Sequence, residues 1–204
     1  VAFAAYLATG FIYNEKAGSL QPLKLLSGLA PPACYSWFYP CDCPQNLNCF
    51  KDLESGLAYA QANGKPVMLD FTGYACVNCW KMEEHVWPEQ HVYQYLRDDY
   101  VLISLYVDDK QELPEDEQLV VFSKATGATR KLRSLGNKWS HFQTEFFNTN
   151  PQPYYVLLSP QGDLLTQPAG YMPDPTEYSD FLQCGLENRS EEHTSELQSH
   201  APIS

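Results

Sequence analysis

Val67-Met68-Leu69-Asp70-Phe71-Thr72 is a near-continuous apolar run that stops at Gly73-Tyr74-Ala75, and Cys76-Val77-Asn78-Cys79 follows at once. Such a run suits a strand covered on both faces, and a strand of that kind demands helices above and below its sheet. A helical period then begins at the cysteines, with Met82 and Val86 four residues apart. Strand, tight turn and helix together place Cys76 at a helix N-terminus, where free backbone N–H groups and the helix dipole favour an anion. A thiolate is such an anion and a nucleophile near neutral pH. Cys79, one helical turn deeper, can attack the resulting mixed disulfide and release the product. The pair is expected to cycle between dithiol and disulfide.

Two acids accompany the pair. Asp70 interrupts the apolar strand, and an ionised carboxylate is costly to bury there, so its pKa is expected to rise into a range where it exchanges protons. The alternative is an Asp at the solvated end of an edge strand. Glu83 lies seven residues after Cys76, two turns along the same helical face. A glutamate on a helix is more commonly solvated, which makes its expected role the weaker of the two.

Around this centre the chain reads in order. Leu53, Leu57 and Ala60 share a helical face between Asp52 as N-cap and Gly64 just past the end. Pro88 breaks the cysteine-bearing helix before a second segment running to about residue 96. His85 and His91 flank it without sharing a face and read as surface residues rather than ligands. Val101 to Val107 is the second clear strand, followed by an acidic loop, a short helix over residues 118–124 ended by Gly127, and a helix over 137–147 whose Trp139, Phe142 and Phe146 form a core face. Pro153 leads into Tyr154-Tyr155-Val156-Leu157-Leu158, and a turn at 159–163 returns the chain as a hairpin. Asp174-Pro175-Thr176-Glu177 opens a last helix to about residue 186.

Composition bounds the function. With 204 residues and 44% hydrophobic content, one domain of ordinary size with appendages is expected. A formal net charge of −12 argues against nucleic acid as a partner, and the densest basic run, Arg130-Lys131-Leu132-Arg133, is short. Seven cysteines, at 34, 41, 43, 49, 76, 79 and 184, point to an extracytoplasmic compartment and leave an odd thiol. Those at 34 to 49 sit in a Pro-rich stretch, residues 14–50, that reads as a linker. Their spacing lacks the paired C-x-x-C units or histidines of a zinc site, which favours stapling disulfides or idle thiols over a metal; the pairing stays open.

The two ends differ from the middle. Val1 to Tyr13 is almost wholly apolar and too short for a span of ~20 residues, so it is read as the truncated end of a transmembrane helix, with a signal-peptide core or a buried helix as alternatives. Residues 189–204 resemble the translation of a sequencing adapter and are set aside, His193 and His200 with them.

The string Lys65 to Cys79, with Lys81-Met82-Glu83 after it and Gln152-Pro153-Tyr154-Tyr155 later, resembles the C-terminal thioredoxin-like domain of DsbD-type thiol:disulfide interchange proteins. The resemblance covers about residues 50–187, the domain proper being placed at 51–188. It implies an α/β thioredoxin fold, a central mixed β-sheet flanked by helices, here with an inserted helical segment. It also implies a protein-disulfide reductase on the periplasmic side of the inner membrane, with no cofactor. Such a domain takes electrons from a membrane domain of the same protein and passes them to periplasmic thiol/disulfide acceptors. By position, Cys76 would be the attacking thiol, Cys79 the resolving one, Asp70 the buried acid, Glu83 a second acid near the site, and Pro153 a cis-proline facing the disulfide; Tyr74 would support the site from the turn. Trp80 departs from the basic residue expected after the second cysteine, and residues 108–150 are longer than a minimal thioredoxin carries.

Overall fold

A computed structural model describes residues 1–14, 19–20, 23 and 41–199. In chain order the elements are α1 (Ala2–Thr9), β1 (Tyr13–Asn14), β2 (Ser19–Leu20), β3 (Cys49–Phe50), α2 (Leu53–Asn63), β4 (Val67–Thr72), α3 (Val77–His85), α4 (Gln90–Gln94), β5 (Val101–Tyr106), β6 (Val120–Ser123), β7 (Ala128–Lys131), α5 (Leu135–Phe147), β8 (Tyr154–Leu158) and α6 (Pro175–Ser199).

The apolar run around Asp70 is the central strand. The main sheet has the order β3-β5-β4-β8, with β4 parallel to β5 from Val67↔Val101 to Thr72↔Tyr106 and antiparallel to β8 from Val67↔Leu158 to Phe71↔Tyr154. Every residue of β4 and β5 is buried, as a parallel pair covered on both faces requires. Because side chains alternate along a strand, the two faces build two cores. Val67, Leu69, Phe71, Ile103, Leu105 and Val156 pack with Ala60 of α2 and Trp139 of α5. Met68, Leu102, Tyr155 and Leu157 pack on the other face with Met82 of α3, Val92 of α4, and Tyr178 and Leu182 of α6. Asp70 lies on this second face.

The end signals of α2 and α6 act as their chemistry dictates. Asp52 accepts from Ser55 N–H at 2.9 Å, Gly64 takes the left-handed conformation that ends α2, and Asp174 accepts from Thr176 N–H at 2.8 Å at the start of α6. After Pro88 the chain re-enters helix as α4 and runs on through a π-helical turn, Tyr95–Asp99, closed by Tyr100 N–H to Tyr95 O at 3.1 Å.

Several expectations give way. Residues 118–124 are not helical: Val120–Ser123 pairs antiparallel with Ala128–Lys131, and Gly127, at φ +67°, serves the turn between two strands. The β-branched residues Val120 and Val121 favour that outcome over a helix. The inserted segment is therefore part hairpin and part helix. On α5 it is Phe147, edge-on to Phe71 at 5.7 Å, that reaches the core, while Phe146 is 73% exposed. The buried Gln143, which donates to Pro151 O at 2.9 Å, fixes that rotation of the helix. The return after β8 is not a regular hairpin: isolated bridges join Leu158 to Leu164 and Tyr155 to Ala169, and the Ser159 hydroxyl accepts from Gln161 and Asp163 N–H in the turn between them.

At the ends, α1 stops at Thr9 and Tyr13 pairs with Leu20; among the described residues no helix is long and apolar enough to cross a membrane. Helix α6 continues past residue 186 to Ser199, since no Gly or Pro interrupts the helix-forming Glu, Gln and Arg beyond it. Arg189 donates to the Gly64 carbonyl. The stretch read as a linker contributes its last residues to the sheet, where Cys49 and Phe50 pair with Leu102 and Ile103. Most of that stretch, Cys34 included, and His200 lie outside the described residues.

Candidate functional site

Cys76 is the N-cap of α3, with extended rather than helical backbone, and its sulfur accepts from Cys79 N–H at 3.1 Å. The two cysteines form a disulfide with Cα atoms 5.2 Å apart. Their surroundings differ. Cys76 is half-buried between the exposed Tyr74, Ala75, Val77 and Asn78, whereas Cys79 is only 1% exposed. A partner's sulfur approaching from solvent meets Cys76 first.

The turn that presents Cys76 is held from the neighbouring strand. β4 and β5 run parallel, so both C-terminal ends emerge at the same end of the sheet, and Asp108, just beyond β5, accepts from Tyr74 N–H at 2.8 Å and Ala75 N–H at 2.9 Å. A side chain at Gly73 would place its Cβ 3.1 Å from three atoms of that carboxylate. Tyr74, 42% exposed, stacks on the buried Tyr106 ring with centroids 4.3 Å apart. Partial burial pushes its hydroxyl above the usual tyrosine range, helped by the charges of Asp109 and Asp108.

Beneath the pair lies a buried acidic and aromatic cluster. Asp70 is 2% exposed and sits opposite Ser104 on one side and Tyr155 on the other. Burial pushes its carboxyl up to about 7, with the Ser104 hydroxyl working weakly against the shift. Burial wins because the pairing is poor: Asp70 Oδ1 and Ser104 Oγ are each without a hydrogen-bond partner. Asp70 is therefore in the buried interior of a central strand and not at a solvated edge. Glu83, read as a weaker candidate that either approaches the sulfurs from below or is solvated, is 2% exposed. It lies one turn beyond Cys79 on the inward side of α3, over which residues 44–47 fold, Gln45 donating to the Glu83 carbonyl at 2.7 Å. Asp70 and Glu83 both act on Tyr155, whose hydroxyl is pushed well above its usual range, chiefly by burial. Tyr178, T-shaped against Tyr155 at 5.0 Å, donates to Met68 Sδ at 3.1 Å.

Pro153 is buried, and the Gln152–Pro153 peptide is cis. It precedes Tyr154, the partner of Phe71, so it stands level with the end of β4 from which the cysteine turn springs. Cys43 and Cys49 form a disulfide, Cys41 is also disulfide-bonded, and Cys184 is free and exposed.

Sequence reasoning overlooked Asp108, which it left in a solvated acidic loop, and the aromatic lining of Tyr155 and Tyr178. Only the parallel register brings residues 74 and 108 together; no local pattern could have announced it.

Two predictions follow from the geometry. Unfolded Asp70 loses its proton near 3.8 but folded Asp70 only at about 7, so between those pH values the native state holds more protons and stability falls as pH rises. Asp70→Asn should stabilise the protein at pH 8 by on the order of 2–4 kcal/mol, with the gain vanishing near pH 4, as read by denaturant titration at both. Asp108→Ala should cost about 1–2 kcal/mol through its two lost hydrogen bonds. Gly73→Ala should be destabilising in the parent and distinctly less so with Asp108→Ala; additive losses in this double-mutant cycle would show that the carboxylate does not brace the turn.

Comparison with known proteins agrees with this architecture. A thioredoxin-like domain family matches residues 53–184. Similar solved structures include a DsbH oxidoreductase (TM-score 0.48, 15% identity, covering 72% of this chain and 91% of that one). A thioredoxin from Thermus thermophilus (0.46, 21%, 67% and 85%) and a thioredoxin-fold protein from Helicobacter pylori (0.41, 17%, 59% and 68%) are also similar. No curated protein matches the sequence. With its sheet, its cysteine-capped helix and a match over most of its length, the chain belongs to the thioredoxin-like domain family.

Proposed function

We propose that the protein is a thiol–disulfide reductase working through Cys76 and Cys79, of the kind found as the C-terminal domain of DsbD-type interchange proteins. The observation that carries this reading is the asymmetry of the pair: a half-buried sulfur at the mouth of a helix N-terminus, bonded to a fully buried one.

In the reduced protein, the Cys76 thiolate attacks one sulfur of a partner's disulfide. A Cys76–partner disulfide forms, the partner's own S–S bond breaks, and its other sulfur leaves as a thiolate. Cys79, losing its proton, attacks the Cys76 sulfur and releases the partner's second thiolate. The partner gains two electrons and two protons, and the protein is left with the Cys76–Cys79 disulfide. A dithiol donor restores it by the reverse sequence. Asp70, with a proton affinity near neutrality, is suited to take and return the Cys79 proton, and Glu83 adds a second buried acid on the same face. Pro153 and Tyr74 line the approach. The donor in this reading is a membrane electron-transfer domain of the same protein, and the acceptors are periplasmic thiol/disulfide proteins. Support comes from the likeness of residues 65–83 and 152–155 to the DsbD domain and from a cysteine-rich composition suited to an oxidising compartment.

Cys76→Ala should abolish exchange, and Cys79→Ala should accumulate a mixed disulfide with a disulfide-bonded partner, seen as a reductant-sensitive mass shift. No trapped species with any partner would overturn the assigned roles. Equilibration in a glutathione buffer should give a reducing potential; a value near −120 mV, that of a strong oxidant, would make the protein an oxidase or isomerase instead.

A further inference from the structure

We propose that the outward face of the β6–β7 hairpin is a docking surface for a partner protein that presents acidic and apolar side chains around its disulfide. The inference rests on the exchange chemistry above for its purpose, and on the hairpin's own surface for its content.

The hairpin is not needed to close the core. It is a separate two-stranded sheet, and only its inner side is used: Ser123 Oγ donates to Glu145 Oε1 at 2.5 Å and Lys124 N–H to Oε2 at 3.2 Å, which braces the hairpin on α5. On the outer side Val120 is paired with Lys131 and Phe122 with Thr129, so two apolar side chains lie beside a basic one on one face. Val120 is 67% and Phe122 61% exposed, Lys131 is exposed, and Arg133, also exposed, follows two residues on.

The charge is segregated as well. Residues 118–144 hold five of the chain's 13 Lys and Arg, namely Lys124, Arg130, Lys131, Arg133 and Lys138, between the acidic Glu115-Asp116-Glu117 and Glu145. None of the five is ion-paired within the described residues. On a chain of net charge −12, the exposed Lys131 and Arg133 on this face attract acidic partners in preference to basic ones. Exposed Val and Phe beside the lysine stem add apolar contact that a purely electrostatic encounter lacks.

Position connects this face with the cysteines. The insert leaves the sheet just after Asp108, which holds the Cys76 turn, and its base is closed by Leu113 N–H to Arg133 O at 2.9 Å and by the Glu112↔Ser134 bridge. A protein seated on the hairpin is thus held at the end of the sheet where Cys76 is presented.

The test uses the full chain and two synthetic peptides with the same Leu and Phe residues and one intramolecular disulfide, one flanked by Asp and Glu, the other by Lys. Cysteine-free versions carrying a fluorophore report binding alone. The acidic peptide should bind about tenfold more tightly, added salt should erase the difference, and Lys131→Glu with Arg133→Glu should reverse it. Val120→Ser with Phe122→Ser should weaken both peptides. Equal binding of the two peptides overturns the proposal. So does equal binding accompanied by sedimentation with phosphatidylglycerol vesicles that the charge reversal abolishes, which would make the face a lipid contact. Reduction of the disulfide peptides is read separately: acidic preference in binding without any exchange would retain the docking face and reject the reductase reading.

Discussion

The parallel pairing of β4 with β5 is the constraint on which the rest depends. Six residues on each strand are buried without exception, and the register that joins Val67 to Val101 also joins Thr72 to Tyr106. Two consequences follow from that one alignment. Alternation sends Leu69 and Phe71 to the α2–α5 core and Met68 and Asp70 to the α3–α4–α6 core, so helices are required on both faces. Parallel direction also brings both C-terminal ends to one end of the sheet, where the first delivers Cys76 and the second Asp108. The carboxylate that steadies the cysteine turn is therefore a product of strand direction, and an antiparallel partner would have carried it to the far end.

The same pairing makes the buried acid expensive. Asp70 occupies a position where its neighbours along the strand are Leu69 and Phe71 and its cross-strand partners are Ser104 and Tyr155, none of which carries a compensating positive charge. The carboxyl answers by holding its proton to about 7. What stability loses by this, proton transfer gains, because an acid with its midpoint near the working pH both gives and accepts readily.

Legibility in the sequence followed the range of the interaction. The strand, the helix N-terminus at Cys76, the Asp52 and Asp174 caps and the Gly64 stop were readable because each is decided within a few residues. Asp70 was readable as a burial anomaly, since its flanking residues already declare the strand. Asp108 was not, as its partners Tyr74 and Ala75 lie more than 30 residues away and only the register joins them. Glu83 was legible only as the weaker acid, because helical period tells which residues share a face but not how deeply that face is buried. Residues 118–124 misled for a different reason: Val120, Val121 and Phe122 in a short stretch satisfy either period, and the pairing with 128–131 decided between them. On α5, spacing allowed Phe146 or Phe147 inward, and the Gln143 hydrogen bond selected Phe147.

The misreading of residues 118–124 falls in the insert between β5 and α5, whose physics explains it. An insertion between β5 and α5 need satisfy only its entry and exit, and lengthening a loop costs little additional closure entropy. The entry and exit here are tight: Gly136 N–H donates to Asp109 O at 3.0 Å, and a Cβ on Gly136 would lie 2.7 Å from backbone atoms of Asp109 and Val107. Between those fixed points the hairpin answers to no core, so its outward residues are free of the packing demands that make the rest of the chain predictable. Exposed Val120 and Phe122 bring the fold little burial, and among the described residues Lys131 and Arg133 bring it no ion pair. A surface that serves the fold so little, on an insert rooted at the end of the sheet that presents the cysteine turn, has its physical rationale in what it meets and not in what it supports.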